Sequence, residues 1–318
     1  MYKLTAKIEI TGTRRWTLER VTQVEITLDT EQLTDTCSIT LPKRVKWDGA
    51  AEVPVSRGDR VSVWLGYDGN LKPAFTGYIR DVGFKTPVVL SCENEMFRLK
   101  QQPAQKKAYR SVTLETLLKD QGLGYPLRIM GEQSLGQYRV TADTVASLLG
   151  QLHKNGIRSF FRNEEGEPVL YCGVLFQRTE TDNLNFATGR NIISYDSLEQ
   201  QKAENIRLRV KAISLMPDNK KVKVEVGDAD GELRTLHAYN KTQSQLKAWA
   251  EQETKRLKRD GLKGSFTAFG GSLADKLTPI SITIDDTRMG TYQVKKNIIK
   301  YGTGGFRQEI TLGARIAE

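Results

Sequence analysis

Apolar and polar positions alternate with period two along the first hundred residues. Leu4, Ala6, Ile8 and Ile10 share one side of the chain, with polar neighbours between them. Val24, Ile26 and Leu28 do the same against Gln23, Glu25, Thr27 and Asp29. Cys37, Ile39 and Leu41 follow and stop at Pro42, and Val61, Val63, Leu65 and Tyr67 run between the turns SRGD and YDGN. Val88, Leu90 and Cys92 make another short run. Alternation broken by Gly, Asp and Pro is the pattern of short antiparallel strands, and this spacing favours a barrel or sandwich over a helix-crossover sheet.

The period changes near Lys100. KQQPAQKKAYRS (100–111) is polar and reads as a linker. TLETLLKDQG (113–122) predicts a helix, with Thr113 as cap, Leu114, Leu117 and Leu118 on one face, and Gly122 at its end. TADTVASLLGQLHKNG (141–156) repeats the design, with Thr141 as N-cap, Val145, Leu148, Leu149 and Leu152 as its stripe, and Gly156 as terminator. Ile157, Phe160 and Phe161, the turn NEEGEP and the run VLYCGV complete a small α/β unit.

Alternation resumes after residue 185. Ile206, Leu208 and Val210 alternate, as do Val222, Val224 and Val226. One helix interrupts at about 242–260, with Leu246, Trp249, Ala250, Glu253 and Leu257 on one side and Gly261 as its C′ residue. Ile280, Ile282 and Ile284, then Tyr292 and Val294, then Ile310 and Leu312 return to strands. The expected fold class is α+β, mainly β: two small antiparallel β-barrel-like domains (1–102 and 181–318) with a small α/β domain (103–180) between them. FTGYIRDV (75–82) and GTYQV (290–294) stand out as related phrases without visible chemistry.

Composition narrows the function. The chain has 318 residues, of which 38% are hydrophobic and 27% charged, which suits packed domains. No apolar run reaches the roughly 18 residues of a membrane span. The N-terminus lacks the pattern of a signal peptide, so folding in a cytoplasm is expected. Lys and Arg outnumber Asp and Glu by 48 to 38. The excess is thin except for Lys255, Arg256, Lys258 and Arg259, where cations suit a helix C-terminus. A nucleic-acid-binding barrel is the reading that this cluster would serve; the simpler one is a solvated helix end.

The sequence carries no catalytic, cofactor-binding or metal-binding pattern. Cys37, Cys92 and Cys172 are widely spaced and read as small buried residues. His153 and His237 have no nucleophile or ligand pattern around them. The pairs Glu164–Glu165, Asp228–Asp230 and Asp285–Asp286 have the residue type of a glycoside hydrolase, yet each falls at an expected hairpin turn, where acidic residues are ordinary. GDADGE lacks calcium-loop spacing, and GTGGF (302–306) precedes a strand rather than the helix a phosphate cradle needs.

Three stretches, in order, resemble the phage tail baseplate hub family, which includes the late control gene D and Mu-like tail hub proteins. They are FTGYIRDV with PVVLSCENEMFRLKQ; SVTLETLLKDQGL with TADTVASLLGQLHKNGIRSFFRNEEGEPVLYCG; and GSFTAFGG through ITLGARI. The strand after GTYQV reads KKNIIKY, where the family often carries a His. The resemblance implies a non-enzymatic structural protein: a homotrimer whose two barrels per chain imitate a sixfold ring. That ring would join the tail tube protein to the central spike protein, with other baseplate proteins as further partners. Its place would be the virion tail, assembled in the bacterial cytoplasm. Segments 58–92 and 277–313 share one scheme of strand, acidic turn, Gly-led strand, Gly turn and strand. On this reading Gly77, Tyr78, Gly290 and Tyr292 mark equivalent structural corners. A hub of a non-viral contractile injection system carries the same signature.

Overall fold

A computed structural model describes residues 2–316 except 44–52, 84, 132, 175–182, 217 and 219. The boundary expected at residue 180 therefore lies outside the described residues. The chain opens with β1 (Leu4–Thr11), β2 (Arg15–Leu18), β3 (Gln23–Asp29), β4 (Thr36–Thr40), β5 (Arg60–Tyr67), β6 (Asn70–Val82), β7 (Val89–Glu93) and a single turn α1 (Met96–Leu99). Next come β8 (Ala108–Thr113), α2 (Leu114–Lys119), β9 (Leu127–Met130), β10 (Ser134–Arg139), α3 (Val145–Lys154), β11 (Arg158–Glu164) and β12 (Glu167–Gly173). The rest comprises β13 (Leu184–Ala187), β14 (Ile192–Ser194), β15 (Leu198–Gln201), β16 (Leu208–Leu215), β17 (Lys221–Gly227), β18 (Glu232–Tyr239), α4 (Gln243–Leu257), β19 (Gly261–Phe269), β20 (Pro279–Ile284), β21 (Thr287–Gly302) and β22 (Gly305–Ile316).

The chain is α+β and mainly β, as its periodicity predicts. Two compact units form. One holds residues 1–98, 178–198 and 264–318; the other holds 99–177 and 199–263. The consecutive segments expected from the sequence are thus distributed differently, because 199–263 groups with the central stretch. Among the described residues no sheet closes into a barrel.

The first unit is built on a 14-stranded sheet whose main path runs β14-β19-β22-β21-β3-β4-β7-β6-β5-β1-β2. It contains the same strand order twice. In the N-terminal half, β5 pairs β6, β6 pairs β7 and β7 pairs β4; in the C-terminal half, β20 pairs β21, β21 pairs β22 and β22 pairs β19. The opening hairpins use the same turn chemistry. Asp68 and Gly69 join β5 to β6, Asp285 and Asp286 join β20 to β21, and all four have positive φ. That is the two-residue turn whose twist matches paired strands. One clear difference is the outer neighbour: β1 is antiparallel to β5, whereas β13 is parallel to β20.

Inward residues of alternate strands fill the first core. Ile8, Ile10, Val61, Val63, Leu65, Ile26, Ile39 and Leu90 are buried there, joined by Ile299, Tyr301 and Phe306 from the other end of the chain. Cys37 and Cys92 face each other across β4 and β7 in this core, and burial pushes their thiols up, Cys92 to about 12. They are inert packing residues, as the sequence suggests.

The second unit contains the strand pair β8/β10, the sheet β11-β12-β9 and the sheet β17-β16-β18. Thr113 caps α2 as expected, accepting from Thr116 N at 3.2 Å. The cap of α3 is Thr144, not Thr141. Its hydroxyl accepts from Ser147 N, while Ala104 N donates to Asp143 O and an isolated bridge joins Pro103 to Thr144, so 141–144 stays extended. The expected linker 100–111 is in part strand, since Ala108 to Ser111 belong to β8. Thr242 and Gln245 form a capping box at the start of α4, and Leu246 and Ala250 pack on Leu208, Val210 and Ala212. Gly261 is not the C′ residue of α4; Lys258 is the C-cap and Gly261 opens β19.

Backbone proximity constrains Gly77. A Cβ there would stand 2.1 Å from Glu93 O, backbone against backbone. Gly77→Ala is expected to lower stability by about 1–3 kcal/mol, read as a fall in the urea midpoint with an unchanged slope.

Candidate functional site: the seam between the two β halves

Of the four residues named from the sequence, Tyr78 and Tyr292 each pair with strands on both sides. Tyr78 pairs with Arg60 of β5 on one side and Glu93 of β7 on the other. Tyr292 likewise pairs with Ile280 of β20 and Arg315 of β22. Both rings are buried. Tyr78 stacks on Phe97 and lies beneath the guanidinium groups of Arg60 and Arg98. Tyr292 donates its hydroxyl to Met289 O at 3.0 Å. The two glycines are not in matching register. Gly77 directly precedes its Tyr and opposes Val61, whereas Gly290 is two residues before its Tyr, opposes Ile282, and has φ +115°.

The two halves meet where β3 pairs β21, through seven register pairs from Lys296–Asp29 to Gly302–Gln23. Side chains reinforce this seam. Tyr67 donates its hydroxyl to Phe306 O at 2.8 Å, Lys72 Nζ donates to Gly271 O at 2.7 Å, and Thr30 N donates to Lys295 O at 3.1 Å.

At the centre is a buried ion pair. Lys276 is 1% exposed and Asp35 4%, and the Lys276 ammonium bonds the Asp35 carboxylate. Asn94 Nδ2 donates to the same carboxylate oxygen at 2.8 Å, and Asp29 N donates to the other at 3.2 Å. Burial pushes the Asp35 carboxyl up, against the downward pull of Lys276. A second buried polar cluster adjoins it in sequence. Asn297 donates to Ala274 O and Gln308 Oε1, and Gln308 Nε2 donates to Phe269 O and Ser272 O. These bonds hold segment 269–276 against β21 and β22. Sequence reasoning missed Asp35 and Lys276, which lie 241 residues apart. A lysine between Ala274 and Leu277 was the one faint signal.

The acidic pairs do not converge. Asp285 and Asp286 form their hairpin turn, and Glu164 sits beside Tyr171 and Arg128. Asp228 and Asp230 do not sit in a hairpin between paired strands, because β17 and β18 flank β16. Their loop folds over the start of β16: Asp228 bonds Leu208 N and Lys258, and Asp230 bonds Arg207. Of the basic cluster, Arg256 is tied to Glu253 and Lys258 to Asp228, while Lys255 and Arg259 are exposed. Burial and the cations Lys221 and Arg158 hold the His237 imidazole below its ordinary value of 6.5. No helix among the described residues is long and apolar enough to cross a membrane.

The described residues thus show repeated β halves joined by a cross-linked seam. The fold itself is that of phage and prophage tail proteins. The tail protein from Neisseria meningitidis superposes with a TM-score of 0.63 at 14% identity, over 98% of this chain and 96% of that one. The 43 kDa tail protein of prophage MuSo2 from Shewanella oneidensis gives 0.60 at 15% identity, over 98% of both chains. A type VI secretion component from E. coli, described as similar to the phage T4 tail proteins gp27 and gp5, gives 0.58 at 12% identity, over 98% of this chain and 77% of that one. No protein-family profile and no curated protein matches the sequence.

Two measurements probe the arrangement. Lys276→Met leaves a buried carboxylate unpaired and is expected to cost about 3–5 kcal/mol. The double variant Asp35→Asn/Lys276→Met should recover part of that loss, both read by urea unfolding. For His237 the unfolded chain takes up a proton at higher pH than the folded one. Stability should therefore be level above the ordinary imidazole value and fall as pH drops through it. His237→Gln should flatten that slope in thermal melts between pH 7.5 and 5.5, a window set around the 6.5 reference.

Proposed function

We propose that this chain is a non-enzymatic baseplate hub subunit of a phage or prophage tail. Three copies would close a ring in which six β halves present near-equivalent surfaces. The ring would join the sixfold tail tube to a threefold central spike, in the virion tail after assembly in the bacterial cytoplasm. The observation that carries this reading is the doubled strand order, β5-β6-β7-β4 and β20-β21-β22-β19, within one sheet. A chain that displays one topology twice offers two similar faces, and head-to-tail contacts that close by rotation make rings. Likeness to tail proteins over nearly the whole chain supports it. Tyr78 and Tyr292 would then be equivalent corners, each packing the point where a long strand changes partner. The two β halves of the first unit, which fall within the expected segments 1–102 and 181–318, would be the two ring modules.

A second reading has its own support. The likeness to a type VI secretion component, and to a chain in a Francisella PdpA–VgrG complex, suits the hub of a non-viral injection system equally well. Neighbouring capsid and terminase genes would favour the phage; their absence would favour the injection system.

Sedimentation and negative-stain imaging of the purified chain test the proposal. The expected species has three times the 35.8 kDa chain mass and a ring outline. A strict monomer at high concentration, with no ring even after tube protein is added, would overturn it.

A further inference from the structure

One cleft on the first unit sets exposed charged groups beside a glycine-rich turn. It has a volume of about 370 Å³ and lies beside the β21–β22 hairpin, where Lys300, Arg307, Thr267 and Gln23 line it together with Gly302–Gly305. Lys300 and Arg307 are direct cross-strand partners, so two cations stand side by side on one face. Like charges in that position destabilise a sheet. Among the described residues neither makes an ion pair. The next residue in the same row is Phe269, directly opposite Arg307 and 48% exposed although it ends a core strand. The turn leaves room for a ligand. Gly304 has nothing within 4 Å of where a side chain would begin, and at Gly305 that position is 3.6 Å from Arg307 Nε.

We propose that this cleft docks an acidic segment of a partner protein, with a carboxylate between Lys300 and Arg307 and an apolar side chain against Phe269. The anion would relieve the cation pair, and the ring would leave water. A nucleic acid fits less well. The unit carrying the cleft has 23 Lys and Arg against 21 Asp and Glu, whereas the other has 25 against 17. Two cations in a near-neutral surface make a local carboxylate site, not the extended basic track that a phosphate backbone needs. Glu309 also lines the cleft, with Ser265 Oγ 3.4 Å from its Oε1, and opposes an incoming anion. Glu25, opposite Lys300 across β3, is the other acid in the row. The inference goes beyond the scaffold reading and does not require a ring.

The test uses the full chain, labelled for NMR, and three probes. These are a short peptide alternating Glu or Asp with Leu and Trp, its Gln/Asn counterpart, and a single-stranded oligonucleotide of equal charge. The acidic peptide should shift resonances of β19, β21 and β22, and the amide version should not. Arg307→Gln should weaken binding about two- to five-fold, and Glu309→Gln should strengthen it. That opposite sign separates binding from a general loss of fold. Absence of binding at millimolar acidic peptide, affinity unchanged in both variants, or equal affinity for the oligonucleotide would each overturn the proposal.

Discussion

The pairing of β3 with β21 is the constraint on which the first unit depends. Seven register pairs join residues about 270 positions apart, and every other element of that unit hangs from one side or the other. Because side chains alternate along β21, its second half serves two masters. Ile299 and Tyr301 enter the N-terminal core, while Ile298 and Lys300 stay on the opposite face. A slip of one residue would reverse both assignments. The seam therefore fixes the register of the core and the composition of the outer face together.

The buried pair Asp35–Lys276 secures the same seam by a different means. Its net contribution to stability is small once desolvation is counted, yet each partner is strongly required when the other is present. Such a pair selects one alignment of the loop 269–276 against β3 and β4 over alternatives that leave a charge unmatched. Asn297 and Gln308 act alike, since each buried amide has backbone or side-chain partners fixed in space. Hydrophobic contacts hold the two halves together; the polar groups specify how they meet.

Much of this fold was legible in the sequence because its strands alternate cleanly and its turns are chemically explicit. Ile8, Ile26, Val63 and Leu90 proclaimed their inward side, and Asp68–Gly69 proclaimed a hairpin. The start of α2 was legible because the hydroxyl of Thr113 precedes an apolar stripe. At Thr144 two hydroxyl residues competed, and a tertiary contact from Ala104 decided between them. Closure was not legible: the same alternation suits a barrel or a shared open sheet, and only the long-range pairing distinguishes them. The cleft and the buried ion pair stayed hidden for the same reason, because Lys276, Asp35, Lys300 and Phe269 become neighbours of their partners through register rather than through any local pattern.

The shared strand also dictates an order of events during synthesis. The N-terminal core lacks Ile299, Tyr301 and Phe306 until those residues have left the ribosome. Until then β3 presents an open edge and a partly uncovered interior. At usual elongation rates of about 5–20 residues per second, that edge waits roughly ten seconds or more for its partner. Such distant pairing is intrinsically slow to form and exposes the waiting half to association with other chains. The second unit, whose two segments 99–177 and 199–263 are both complete before β21 emerges, is free of that delay. The N-terminal half is thus completed after the second unit, although its strands are made earlier.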